Sequence, residues 1–234
     1  MGDQGEADRG AVEGAAPSPT RKAQSTTLAE RPSVCMWLDT SAHGGRFAAM
    51  TIACIGWGSL CWDSRELPVG DWRSDGPILP IEFARRSQDG RVTLVICEDG
   101  TELQTLWAEI SASSLQEAAG LLRRREGCNA KGIGRWPSAA EFPFSERVAT
   151  WAAGLGLSGV VWTALPPKWD NQNGLVPTLA QLKAYLRGLD AATLALAREY
   201  LAKAPPQIET PFRAELLAAA GGSLSLESDG TPPR

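Results

Sequence analysis

A glutamate and a glycine-rich loop are the two features of this chain whose residue types could do chemistry. The segment Ile52-Ala-Cys-Ile-Gly-Trp-Gly-Ser-Leu60 is an apolar run that stops at a glycine turn. Glycines in such a turn leave backbone N–H groups open to an anion, because no Cβ stands in the way. Glu126, followed by Gly127, places a carboxylate on the apolar side of a predicted helix. Together the two features predict an acid/base enzyme that acts on a small acidic substrate.

The helix that positions Glu126 has recognisable start and stop signals. Ser114 with Glu117 three residues later forms a capping-box pattern, and Gly127 is the left-handed residue expected to end the helix. Glu126 extends an apolar stripe made by Leu115, Ala118, Ala119 and Leu122. Burial and the negative end of the helix dipole both disfavour a charged carboxyl, which suits a general base. The alternative is that Glu126 forms a structural ion pair with Arg123, Arg124 or Arg125.

The glycine loop also has a second interpretation, as a simple tight turn. It is not a dinucleotide-binding fingerprint, because Cys61-Trp62 follow where that pattern needs further glycine. A functional loop would use Gly58 in particular, since only glycine adopts positive φ freely and leaves the N–H groups open.

Two neighbouring arginines are candidates for binding a substrate carboxylate. Arg85 and Arg86 lie in a predicted strand, and one arginine can hold a carboxylate through two parallel hydrogen bonds. Adjacent strand residues point to opposite faces, so at most one should reach a pocket. The alternative is a solvated pair at a strand end. Glu82, close by, is the next candidate carboxylate after Glu126.

The order of four segments resembles the γ-glutamylcyclotransferase superfamily. The loop Gly56-Trp57-Gly58-Ser59-Leu60-Cys61-Trp62 is similar to its Tyr-Gly-Ser signature, with Trp57 where the family usually has tyrosine. The segment from Phe83 to Leu94 resembles the Arg-Arg…Gly-Arg-x-Thr-Leu segment of the ChaC kind. Thr105-Leu-Trp-Ala108 is similar to the strand before the catalytic helix, and Glu126-Gly127 matches the catalytic glutamate at its end. The resemblance spans residues 52 to 127, about a third of the chain.

The resemblance implies both a fold and a reaction. The fold would be a small mixed β-barrel with helices packed outside. The substrate's own α-amine would attack its γ-carbonyl, giving 5-oxoproline and a released amine, with Glu126 moving the proton and no cofactor or metal required. The implied substrate-binding residues are Gly56, Trp57, Gly58, Ser59, Leu60, Arg85 and Arg86. The released amine and the oligomeric state stay open.

Periodicity and turn signals predict an α+β domain with a mixed sheet. Strands are expected at 52–57, at 92–97 and 102–107 as a hairpin, and at 159–164. Helices are expected at 114–126, 146–155, 179–189 and 190–201, with a long loop at 131–144. Residues 1–47 have no hydrophobic period and are predicted to be a disordered tail, residues 48–220 the domain, and residues 221–234 a second polar tail.

Composition narrows the classes of function. The net charge of −4 gives no basic footprint for nucleic acid, and no stretch is apolar enough to cross a membrane. Five cysteines without a Cys-x-x-Cys motif, and no signal peptide, favour reduced thiols in the cytoplasm. The single histidine, His43, lies in the predicted tail, which disfavours a metal cluster and a nucleophilic pair with Cys61 or Cys128. The alternative to an enzyme is a binding module for a γ-glutamyl-like or carboxylate ligand.

Overall fold

The computed structural model of this chain describes residues 50–221. The N-terminal tail and all but the first residue of the C-terminal tail, as predicted from sequence, therefore lie outside the described residues, as does His43. Within 50–221 the chain forms two mixed β-sheets and five α-helices, so the predicted α+β class with mixed pairing is confirmed.

The first sheet is built around the strand that leads to the glycine loop. Strand β1 (Ile52–Gly56) lies between β5 (Leu106–Glu109), which runs antiparallel to it, and β7 (Gly159–Thr163), which runs parallel. Strand β6 (Ile133–Trp136) completes the sheet antiparallel to β7. Every residue of β1 is buried, as expected for a continuous apolar run covered on both faces.

The second sheet is organised by one long strand, β2 (Ile78–Arg86). Its antiparallel partners are β3 (Val92–Ile96) and β4 (Thr101–Gln104). Two short strands, β8 (Lys168–Trp169) and β9 (Gln172–Asn173), extend the sheet from the other edge of β2.

The predicted hairpin between residues 92–97 and 102–107 is wrong. Strands β3 and β4 do not pair with each other; they follow one another along β2, and Ile81 lies opposite both Ile96 and Thr101. The turn between them, closed by the Gly100 N–H donating to the Cys97 carbonyl at 3.0 Å, only interrupts this edge. The reason is length, because β2 has nine residues and can pair with both segments.

The predicted strand 102–107 is divided between the two sheets. Thr105 is fully buried at the division, and its N–H and Oγ1 both donate to the carbonyl of Pro77, at 3.2 and 2.8 Å. These bonds to a preceding loop replace ladder bonds, so the chain leaves one sheet and enters the other here.

The predicted loop at 131–144 is wrong in its first part, where β6 lies. Its glycines do not break the strand, because β7 supplies a full antiparallel partner from Ile133 opposite Thr163 to Trp136 opposite Val160. Gly134 serves the packing instead: a Cβ there would lie 2.1 Å from the ring of Trp162, which is fully buried.

The five helices are α1 (Leu115–Glu126), α2 (Ser145–Gly154), α3 (Leu179–Arg187), α4 (Ala191–Lys203) and α5 (Pro211–Ala219). No helix within residues 50–221 has the length and apolar character needed to cross a membrane.

Helix α1 carries the predicted caps with one difference. Ser114 accepts from the Glu117 N–H at 3.1 Å, and Gly127 ends the helix with φ 60°. The Glu117 carboxylate returns to the Ser113 N–H at 2.7 Å, one residue earlier than a capping box requires. Ala118, Ala119 and Leu122 pack in a buried cluster with residues of β1 and β7, so the stripe that Glu126 extends faces the first sheet.

The C-terminal helices share the larger core with the second sheet. Leu182, Tyr200, Leu201 and Leu216 are buried in one cluster with Phe83 of β2. Helix α4 is fixed at its start by Asp190, whose carboxylate accepts from the N–H groups of Ala192 and Thr193 at 3.0 Å each. This shared core and the cap of α4 together fix the position of α4 side chains relative to β2 and β3.

Candidate functional site

The glycine loop, the end of α1 and the end of β2 meet at one cavity of about 620 Å³. Residues that are more than 140 positions apart in the chain, from Ile55 to Tyr200, are brought together there. Of the site residues predicted from sequence, those in its lining are Gly56, Trp57, Gly58, Ser59, Leu60, Arg85 and Glu126. Arg86 is not in the lining.

The glycine loop leaves β1 and turns at once into a 3₁₀ turn, Ser59–Cys61. Gly58 is its N-cap, so the N–H groups of Ser59 and Leu60 have no partner within the turn. Gly58 has φ −130°, and the expectation of a positive φ is therefore wrong. Close approach requires the glycine instead, because a Cβ at Gly58 would lie 2.4 Å from the Oη of Tyr200.

Trp57 forms part of the cavity wall and connects the loop to the second sheet. Its side chain is buried, and its Nε1 donates to the carbonyl of Leu94 in β3 at 3.3 Å. The bulk of tryptophan thus fixes the loop without leaving an unpaired indole N–H.

Glu126 is held by the arginine directly before it. Its Oε1 lies 2.6 Å from Nη1 of Arg125, and the two side chains are 15% and 6% exposed. Nη2 of Arg125 also donates to Ser59 Oγ at 3.2 Å and to the Asp63 carbonyl at 2.6 Å. The ion pair considered from the sequence is therefore present, with Arg125 as the partner, and it ties Glu126 to the glycine loop.

This ion pair leaves one oxygen of Glu126 open. Among residues 50–221, no hydrogen bond involves Oε2 of Glu126. The geometry is therefore compatible with a carboxylate that is oriented through Oε1 and accepts a proton at Oε2. In addition, Nε of Arg125 is buried without a partner among these residues.

The two predicted arginines have separate surroundings. Nη1 of Arg85 donates to the Pro166 carbonyl at 2.7 Å, and burial lowers the pKa of this guanidinium. Arg86 turns away to Asn171, with Nη2 3.4 Å from Oδ1, and its guanidinium lies 5.6 Å from the ring centre of Tyr185. Of these two arginines, only Arg85 lines the cavity and can meet a ligand there.

The charge around the cavity is suited to an anionic ligand. Four arginines and two carboxylates line it: Arg65, Arg85, Arg91, Arg125, Asp89 and Glu126. Arg91 pairs with Asp89 at 2.7 Å, as Arg125 pairs with Glu126. Arg85 has no acidic partner within 4.0 Å among the described residues. A ligand carboxylate could supply that partner.

The cysteines near the cavity are poor candidates for nucleophiles. Burial raises the pKa of Cys61 to about 12, and it also raises the pKa of Cys54 and of Cys128. Thiols of this kind are protonated at neutral pH and react slowly. Within residues 50–221, no group of three or more His, Cys, Asp or Glu side chains is placed to hold a metal ion.

Glu82 lies outside the cavity lining. It is buried on β2, where its Oε1 accepts from the Phe83 N–H at 2.8 Å, and burial raises its pKa. These surroundings give Glu82 no contact with the cavity, so it is not a second candidate base.

Among the cavity residues that the sequence did not predict, two carry polar groups that could meet a ligand. Tyr200, on α4, and Arg91, in the turn before β3, both line it. Tyr200 lies more than 140 positions after the glycine loop, and nothing in its helical pattern distinguishes it from a core residue.

Comparison with known proteins found no matching protein-family model, no matching curated protein and no matching solved structure.

Proposed function

We propose that this chain is a γ-glutamylcyclotransferase-like enzyme that converts a γ-glutamyl amide or peptide into 5-oxoproline and releases the amine. The observation that carries the proposal is the meeting of the Gly56–Leu60 loop, Arg85 and Glu126 at one cavity. The excess of arginine over carboxylate in the lining favours a substrate that carries a free carboxylate. The proposal includes the small mixed β-barrel of that superfamily and a cytoplasmic location.

The reaction would need one proton acceptor and a fixed substrate conformation. The α-amine attacks the γ-carbonyl carbon, a new C–N bond forms, and Glu126 takes the proton that the amine releases. The same carboxyl then protonates the leaving nitrogen as the old C–N bond breaks. Arg85 would hold the α-carboxylate and the loop N–H groups would hold the folded substrate, since orientation supplies a large part of the rate of ring closure.

The Arg125–Glu126 ion pair fits this scheme through orientation. The guanidinium holds Oε1 and contacts Ser59 and Asp63 of the loop segment, which fixes the distance between base and loop. Oε2 is the oxygen that would receive the proton. A purely structural pair would not need to lie at a cavity.

The deciding experiment compares Glu126→Gln with the wild type for 5-oxoproline release from a panel of γ-glutamyl compounds that includes glutathione. If Glu126 transfers the proton, turnover should fall roughly a hundredfold to ten-thousandfold. Stability should also fall, because Arg125 is nearly buried and would lose its counter-charge. Stability alone therefore does not separate the catalytic role from the structural one.

Asp89→Asn is the matched control. Asp89 lines the same cavity and pairs with Arg91 at 2.7 Å, so its replacement also removes one carboxylate from an arginine pair. We expect it to keep turnover within a few-fold of wild type. Equal turnover in Glu126→Gln and Asp89→Asn would exclude Glu126 as the base. Ligand binding without turnover in the wild type would favour a binding module instead.

A further inference from the structure

Tyr200 occupies an unusual position for a residue of the C-terminal helices. It lies on α4, is 5% exposed, and lines the cavity beside the glycine loop. Its ring is held edge-on by Trp62 at 5.3 Å and by Phe83 at 6.4 Å, measured between ring centres. The guanidinium of Arg91 lies 5.7 Å from the same ring. These contacts fix the direction of the hydroxyl.

The hydroxyl of Tyr200 makes one hydrogen bond within the protein, as an acceptor. Its Oη accepts from the Leu94 N–H at 3.3 Å. Burial raises the pKa of Tyr200 to about 12, and the nearby carboxylate of Glu126 adds to this shift, so the phenol keeps its proton at neutral pH. No acceptor for that proton is present among residues 50–221. A buried O–H donor without an acceptor is costly, which is the kind of group that a ligand satisfies.

The loop is shaped to let this hydroxyl approach. A Cβ at Gly58 would lie only 2.4 Å from Oη, and the φ of Gly58, −130°, is outside the left-handed region that favours glycine. Glycine at this position therefore serves to bring the loop N–H groups and the phenol together. Both groups then lie in the lining that Glu126 also shares.

We propose that Tyr200 is a substrate-binding residue, whose neutral hydroxyl donates a hydrogen bond to the carbonyl oxygen of the ligand in this cavity. The inference rests on the proposed function for the identity of that oxygen, the γ-carbonyl of a γ-glutamyl substrate. When the amine attacks, the C–N bond forms and the carbonyl electron pair moves onto the oxygen. Tyr200 stabilises this oxyanion without giving up its proton, and the pair returns when the leaving nitrogen departs.

The first test uses Tyr200→Phe with Tyr185→Phe as the matched control. The chain has two tyrosines, and Tyr185 donates to the Gly90 carbonyl at 2.7 Å outside the cavity lining. Removing one oxyanion donor should lower kcat roughly 100-fold to 1000-fold with little change in KM. Tyr185→Phe should stay close to wild type in both constants. If the wild type is active and Tyr200→Phe has the same kcat as Tyr185→Phe, the role of Tyr200 is overturned and the proposed function remains intact.

The second test needs neither turnover nor a substitution at Tyr200. Protein labelled with 3-fluorotyrosine should give two ¹⁹F resonances, because the chain has two tyrosines, and Tyr185→Phe assigns them. Adding 5-oxoproline, which keeps the former γ-carbonyl oxygen as its lactam oxygen, should shift the Tyr200 resonance and leave that of Tyr185 in place. An unmoved Tyr200 resonance would overturn the inference, including the case in which 5-oxoproline does not bind. A Tyr200 shift without 5-oxoproline release from any substrate would retain the inference and reject the enzyme.

Discussion

The contact between Gly58 and Tyr200 can be measured as a coupling of stability. The φ of Gly58 is −130°, outside the left-handed region that favours glycine, but the Cβ of Gly58→Ala would lie 2.4 Å from the Tyr200 Oη. Overpacking of this kind costs about 1–3 kcal/mol in a well-packed interior. For a domain of this size, that corresponds to a fall in Tm of about 2–12 °C.

In the Tyr200→Phe background, the same alanine should be tolerated. The nearest remaining ring atom, Cζ, lies 3.5 Å from the introduced Cβ, which is an ordinary van der Waals contact. Tyr200→Phe has its own cost of about 1–3 kcal/mol, because the Leu94 N–H loses its acceptor. The double variant should therefore be more stable than the sum of the single effects, by about 0.5–3 kcal/mol.

The assay is urea denaturation of the wild type, both single variants and the double variant, followed by tryptophan fluorescence and circular dichroism. Gly156→Ala provides the control glycine: it has φ 66° with no atom within 4 Å of an added Cβ, so its cost comes from the backbone alone. That cost should be the same in both backgrounds. If Gly58→Ala costs as much with Tyr200→Phe as without it, the close approach of the phenol is not the reason for glycine at this position.

Two further substitutions test the packing and the titration of groups away from the cavity. Burial raises the pKa of Glu82 above 4.5 in the folded state. The contribution of the protonated carboxyl to stability is therefore full below the unfolded pKa, and it is lost as pH rises through the folded pKa. Glu82→Gln should therefore raise Tm near neutral pH more than at about pH 4, and an advantage that does not depend on pH would contradict this. Gly134→Ala should lower Tm by several degrees, because its Cβ would lie 2.1 Å from the buried ring of Trp162. Gly154→Ala is the control, because no atom lies within 4 Å of its added Cβ, and it should not lower Tm in this way. Equal melting curves for the two variants would contradict the packing argument.

Local signals in the sequence determined the elements that carry the candidate site. The apolar run before the glycine loop predicts β1, and Ser114 and Gly127 predict both ends of α1, because capping and strand burial depend on residues close in sequence. The same reasoning placed Glu126 on the stripe that faces the first sheet and gave Arg125 as one of its possible partners. The proposed activity stays a prediction.

Tertiary structure alone decided which residues meet and why Gly58 is glycine. The sequence could not show that β2 is long enough to pair with β3 and β4 in succession, so the Asp99-Gly100 turn predicts a hairpin that does not form. It could not show Tyr200 at the loop either, because a tyrosine within a helical apolar pattern is equally suited to the core. Hydrogen bonding and capping act over a few residues, whereas the partners of a strand edge and the depth of a cavity depend on how distant segments pack. For this reason the sequence predicted several residues of the candidate site, and only the fold placed Tyr200 in the same cavity.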